Sequence, residues 1–207
     1  MTKVDERFDM IHGTQMIYRK LLDCMARPGK INNILEAISN IEDACLFSPS
    51  LRGLAYTLVD REVRFYIEAD RKQEVEQDIQ WKTFSTTADY VQADYLFFDH
   101  APESAAIHEL VEQVKRGTLE DPHLSATLLL NVKSISDLPG EGRSLVLQGP
   151  GIKETTTVFV EGLALDWIEA RRKVNGEFPL GVDMVLTTRT GDVIAIPRTT
   201  VIESEGI

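Results

Sequence analysis

The sequence predicts an α/β layered domain built on a mixed sheet, and two observations carry that expectation. Amphipathic segments whose apolar residues recur every three or four positions alternate with short runs of β-branched and aromatic residues. The last two of those runs are joined by Thr190-Gly191-Asp192, the composition of a hairpin turn, so an otherwise alternating chain finishes antiparallel. A single domain over residues 1–207 is expected, because no Gly/Ser/Pro-rich or charge-rich linker divides the chain. A chain of that length can bury most of its apolar surface without staples.

The elements follow in order. Ile17, Leu21 and Met25 share one face of a helix over 14–25, and Arg27-Pro28-Gly29 stops it, since proline lacks the N–H and glycine accepts positive φ. Ser48-Pro49-Ser50 opens a second helix over about 50–60. Val63, Phe65 and Ile67 alternate along a strand over 62–67. Residues 72–82 form a polar helix carrying Val75, Ile79 and Trp81, and 94–98 a buried strand. The clearest helix, 102–116, takes Pro102 in its first turn, presents Ile107, Leu110, Val111 and Val114 as a stripe, and closes at Gly117. Strands are expected over 126–132, 145–147 and 155–160. A helix marked by Ala164, Trp167, Ile168 and Val174 ends at Asn175-Gly176, and strands over 182–187 and 193–196 complete the chain.

Composition excludes some functions. The net charge of −11 argues against a nucleic-acid surface, which needs a clustered basic face, and it repels anionic membranes. No basic-then-apolar leader opens the chain and no apolar run reaches membrane-spanning length, so a cytoplasmic location is expected. Cys24 and Cys45 read as small buried hydrophobes in a reducing compartment.

The chemistry-bearing motifs are sparse. His12, His100, His108 and His123 include no pair with the one-turn spacing of a helical zinc site, and there is no CxxC, so no metal is expected. Asp99-His100 is the best-placed histidine motif, because it ends a buried strand. Neither GxxxxGK[ST] nor GxGxxG occurs. Gly149-Pro150-Gly151 leaves a strand and either holds an anion with its backbone N–H groups or simply turns the chain. Arg27 precedes a Pro-Gly turn, and Arg198 stands before Thr199 and Thr200. A guanidinium beside hydroxyls suits phosphate or phosphonate oxygens, whereas a guanidinium tying a loop to a carboxylate or carbonyl is the plainer alternative. Asp183, at a strand start after Pro179-Leu180-Gly181, is a candidate acid or base if its burial shifts its pKa. Asp166 reads as a helix-dipole partner.

Five segments in register resemble one family over nearly the whole chain: Met25-Ala26-Arg27-Pro28-Gly29-Lys30, residues 55–60, Gly149-Pro150-Gly151-Ile152, Phe178-Pro179-Leu180-Gly181-Val182-Asp183 and Pro197-Arg198-Thr199-Thr200. The chain resembles the PhnH family of the bacterial carbon–phosphorus lyase machinery for phosphonate breakdown. That resemblance implies a three-layer α/β/α sandwich similar to the large domain of pyridoxal-phosphate-dependent transferases, without use of that cofactor. It implies a homodimer that joins three other subunit types in a core complex. That complex is linked to displacement of adenine from ATP by methylphosphonate, which gives ribose 1-methylphosphonate 5-triphosphate before a radical enzyme cleaves the carbon–phosphorus bond. The resemblance carries over no catalytic residue. The expectation is therefore an accessory subunit. The alternative is a ligand-binding or catalytic subunit whose Arg27, Gly149, Gly151, Arg198 and Thr199 form an anion pocket for ATP or phosphonate, with Asp183 as acid or base.

Overall fold

The computed structural model describes residues 8–41 and 47–205, and the side chains up to Glu203. Helix α1 (His12–Ala26) opens it, burying Gly13, Ile17, Leu21 and Cys24 along one face. Its end is where the sequence placed it, with the Arg27 N–H bonded to the Asp23 carbonyl as the chain leaves the helix. Strand β1 (Asn32–Asn33) and the short α2 (Leu35–Ile38) lead to α3 (Pro49–Leu58), which begins with its proline in the first turn, where a missing N–H costs nothing. Cys45 lies outside the described residues; Cys24 is a free buried thiol.

Strand β2 (Arg64–Glu68), helix α4 (Lys72–Thr83), strands β3 (Thr86–Thr87) and β4 (Tyr95–Phe98) and helix α5 (Ser104–Gln113) follow. Helix α5 is shorter than its pattern suggested. Val114 turns extended to stay buried, and the Lys115 carbonyl accepts the Ala126 N–H instead of continuing the helix. Next come β5 (Thr127–Val132), β6 (Ser134–Ser136), β7 (Arg143–Gln148) and β8 (Thr156–Glu161), then α6 (Leu165–Val174) and β9 (Asp183–Thr188). The chain finishes with β10 (Asp192–Ile196) and β11 (Val201–Glu205).

These strands make two sheets. The larger is mixed and seven-stranded, in the order β1-β10-β9-β5-β4-β2-β3. Strands β3, β2, β4, β5 and β9 run parallel, and β10 and β1 add antiparallel at one edge through the predicted hairpin. The central strands are apolar on both faces, as a covered parallel sheet requires. One face takes α1, α3 and α4 around Phe65, Ile67, Phe97, Leu129 and Val185. The other takes α5 and α6, with Trp167 edge-on to Phe98 at 4.8 Å between ring centroids.

The second sheet is antiparallel, in the order β11-β7-β8-β6. Its Ile135, Leu145, Leu147, Val158, Val160 and Ile202 join the same core as α5 and α6. The third layer is therefore part helix and part sheet rather than helix throughout. The alternation of helix and strand in the sequence identified β7 and β8, but not that they pair with each other and with β11 outside the main sheet.

Candidate functional site

Four of the five segments that distinguish this sequence, all but residues 55–60, gather at one place, at the amino ends of the parallel strands. Residue Asp183 starts β9, and Ile196, which ends the antiparallel β10, pairs with Met184 beside it. Gly151 has φ +86°, and a Cβ there would lie 2.5 Å from the Ala26 carbonyl oxygen, so the Gly149–Gly151 turn is pressed against the Arg27-Pro28 turn. Gly149 has φ +145°, and a Cβ there would lie 2.8 Å from the Thr199 carbonyl oxygen. Only glycine tolerates both the dihedral and the approach.

Asp183 and Arg198 of this corner are satisfied by each other. Both oxygens of Asp183 are taken by Arg198: Oδ2 accepts from the guanidinium at 2.7 Å, and Oδ1 from the Arg198 backbone N–H at 2.7 Å and from Nε at 3.3 Å. The far side of the same guanidinium donates to the Pro122 carbonyl. Both side chains are mostly buried, 17% and 13% exposed. Arg27 is largely exposed and pairs with Asp23. The structure thus brings the turns together while pairing Arg198 with Asp183, and Arg27 with an Asp23 that Lys30 and Asn32 share.

A deeper arginine, Arg171 on α6, holds the corner from below. It is almost wholly buried and donates to the carbonyls of Ile196, Pro197 and Thr200, at 3.4, 2.7 and 3.1 Å. Burial pulls its pKa down to about 10, and Asp183 opposes that. Its charge survives because it replaces water with backbone dipoles. A shallow cavity of about 280 Å³ lies over the corner, walled by Pro122, Phe178, Pro179, Pro197 and Thr199. Its wall is apolar, and its charged members Asp183 and Arg198 are already paired.

At the opposite, carboxyl ends of the parallel strands lies a larger crevice of about 390 Å³. Asp99 and His100 leave β4 there, Asn131 sits near the end of β5, and Arg189 follows β9. The Asp99 carboxylate is nine-tenths buried and accepts the Ser48 backbone N–H at 3.2 Å. Burial is the main influence on it and pushes its pKa up, against the pull of the Ser48 hydrogen bond and of Arg189 at 3.8 Å. Asn131 donates its amide to the Asp99 carbonyl at 3.3 Å, leaving its buried Oδ1 with no protein partner. Lys133 stands at the rim, exposed and bonded to Glu161, which raises its pKa. Of these residues the sequence singled out only Asp99 and His100. Asn131 and Arg189 carried a signal too, as the polar residues that interrupt or close two of the most apolar runs in the chain.

His108 of α5 stands with Asp166 and Glu169 of α6, their ligand atoms within 4.8 Å of one another. Helix-to-helix packing creates this group, so spacing within one helix could not reveal it. Asp166 accepts the Ser104 hydroxyl, which, with His108, holds its pKa low.

The fold and the two strand ends define a three-layer α/β protein with a tightly packed, motif-built corner at one end of its parallel sheet and a polar crevice at the other. Residues 7–203 match the family described as bacterial phosphonate metabolism protein (PhnH), and the chain belongs to that family. It is 30% identical over 204 residues to the alpha-D-ribose 1-methylphosphonate 5-triphosphate synthase subunit PhnH of Rhizobium meliloti (strain 1021), covering 95% of this chain and 94% of the relative. It is 38% identical over 100 residues to a putative C-P lyase subunit protein, HtxG, of Stutzerimonas stutzeri, covering 48% of this chain and 49% of that one.

Proposed function

We propose that this chain is an accessory subunit of a carbon–phosphorus lyase core complex, supporting transfer of methylphosphonate onto ATP ribose with release of adenine. The observation that carries this reading is the match over nearly the whole chain to a protein named as a synthase subunit. The corner built from the family's motifs agrees with it. Asp183, the candidate acid or base, has both oxygens occupied by Arg198, so these residues shape a surface rather than present a reactive group.

In this reading the chain works as a cytoplasmic homodimer that docks on other lyase subunits, and its fold is a relative of the large domain of pyridoxal-phosphate-dependent transferases that has given up the cofactor. Lys133, the lysine lining the carboxyl-end crevice, is exposed and held protonated by Glu161, the opposite of what a Schiff-base lysine needs. In the same reading two sets of exposed apolar side chains serve as docking surfaces. One is Tyr18 and Leu22 on α1 with Leu35 on α2; the other is Trp81 and Phe84 at the end of α4.

Native mass spectrometry of the chain, alone and co-expressed with the neighbouring lyase subunits, tests the reading. A dimer that enters a larger stoichiometric assembly is expected. A chain that stays apart from those subunits overturns it, and an anion pocket of its own at Arg27, Gly149, Gly151, Arg198 and Thr199 then becomes the reading to pursue.

A further inference from the structure

We propose that the crevice at the carboxyl ends of β4, β5 and β9 is a binding site for a sugar phosphate, with Asn131 and Asp99 reading its hydroxyls and Lys133 and Arg189 facing its phosphate. Three independent features point there. The first is position: side chains that leave the carboxyl ends of neighbouring parallel strands converge on one crevice, where α/β sheets place their ligands. The second is size, since about 390 Å³ lies within the usual range for small-molecule sites.

The third is the arrangement of polar groups. The Asn131 Oδ1 is buried and bonded to no protein group, and so is the Ser48 hydroxyl behind Asp99. Buried acceptors left unmet are costly and uncommon in folded proteins. Asn131 Oδ1 and the Asp99 carboxylate, whose Oδ1 takes the Ser48 N–H and whose Oδ2 faces Arg189 at 3.8 Å, are acceptors at the floor, so the matching ligand presents donors: hydroxyl groups. The cationic side chains stand farther out, Arg189 at 43% exposure and Lys133 at 70%. An anionic group at the mouth would share them with Asp99 and Glu161. Donors inside and an anion outside describe a phosphorylated sugar rather than a free phosphate.

This assignment stands apart from docking on other subunits, so it is tested on the isolated full chain. Ribose 5-phosphate, ribose and inorganic phosphate are each titrated into the wild type and into Asn131→Leu and Lys133→Ala, with heat of binding as the readout. Ribose 5-phosphate is expected to bind, and each substitution to weaken it about tenfold, the worth of one hydrogen bond to a charged or buried group. Ribose and inorganic phosphate are each expected to bind more weakly than the joined molecule. Lys133 is exposed, so its variant folds and keeps the test valid even if Asn131→Leu does not. No binding by the wild type, binding unchanged by Lys133→Ala, or phosphate binding as tightly as ribose 5-phosphate overturns the assignment. No binding by the wild type would leave the buried acceptors to ordered water.

Discussion

At the scale of single residues, a buried charge persists where the fold gives it partners, and the cluster between α3 and α4 shows how. The Asp78 carboxylate meets Arg52 Nε at 3.0 Å, the Lys82 ammonium at 3.1 Å and the Tyr56 hydroxyl. Burial alone would raise its pKa, but the hydrogen bonds from Arg52, Tyr56 and Lys82 outweigh burial and hold it below the ordinary 3.8. Burial of the ring, and then the hydrogen bond to the same carboxylate, push the Tyr56 phenol up. A depressed folded-state pKa means that the ionised carboxylate contributes stability above the ordinary value, and that this contribution is lost as pH falls through the folded value. Asp78→Asn is therefore expected to cost about 2 kcal/mol in urea unfolding between about pH 5 and 7, with the deficit shrinking below about pH 4. A deficit independent of pH would show that the amide's altered packing, not the charge, is responsible. Arg198 and Asp183 are likewise paired by geometry, and the sequence left their roles open because a guanidinium beside hydroxyls looks the same whether its partner is a ligand or a carboxylate fifteen residues away.

At the scale of elements, periodicity was legible and partnership was not. Phe65 and Ile67 alternate into the core as expected, and α1 stops at the Arg27-Pro28-Gly29 turn, because local sterics decide both. Trp81 sits on the expected helix yet is 83% exposed, since the pattern of α4 cannot say which apolar residues a neighbour will cover. Strands β6 and β11 carry no strand pattern, because β6 has only three residues and β11 ends in Glu203-Ser204-Glu205, so only pairing with β8 and β7 defines them. The floor of the crevice was half legible: Asp99-His100 ends an obvious strand, but Asn131 lies inside one, and only the parallel register of β4 with β5 sets it against Asp99. The glycine turns were recognised as tight corners, and the structure supplies the reason, backbone pressed on backbone. Gly151→Ala should then cost about 2–4 kcal/mol, combining a strained positive φ with a Cβ that the Ala26 carbonyl obstructs. Chemical denaturation measures it. A loss under about 0.5 kcal/mol would mean that the two turns can separate without consequence.

At the scale of the whole molecule, the distribution of apolar surface separates what holds the chain together from what it offers to others. Trp167, Phe47, Phe65, Phe97 and Phe98 are fully buried on the two sides of the main sheet, so the fold has its aromatic core without help. Trp81 and Phe84 are then surplus to folding, and they sit together at the end of α4, with Phe84 at φ +60°, a conformation that bulky side chains seldom adopt. Asparagine is at ease there, so Phe84→Asn relieves local strain while it removes an exposed ring. Combined with Trp81→Glu, it should leave the unfolding free energy within about 0.5 kcal/mol of the wild type, because neither ring packs against the core. If this patch is a docking surface, the same double variant, co-expressed with neighbouring lyase subunits, must lose either its homodimer or its larger assembly in native mass spectra. Tyr18→Glu with Leu22→Glu on α1 provides the parallel experiment on the second patch. Loss of different species by the two pairs would assign one surface to a second copy and the other to a different subunit. Full retention of both species by either pair would remove that patch from the docking surface, and retention by both pairs would leave the chain's acidic exterior, at a net charge of −11, to recognise its partners through charge alone.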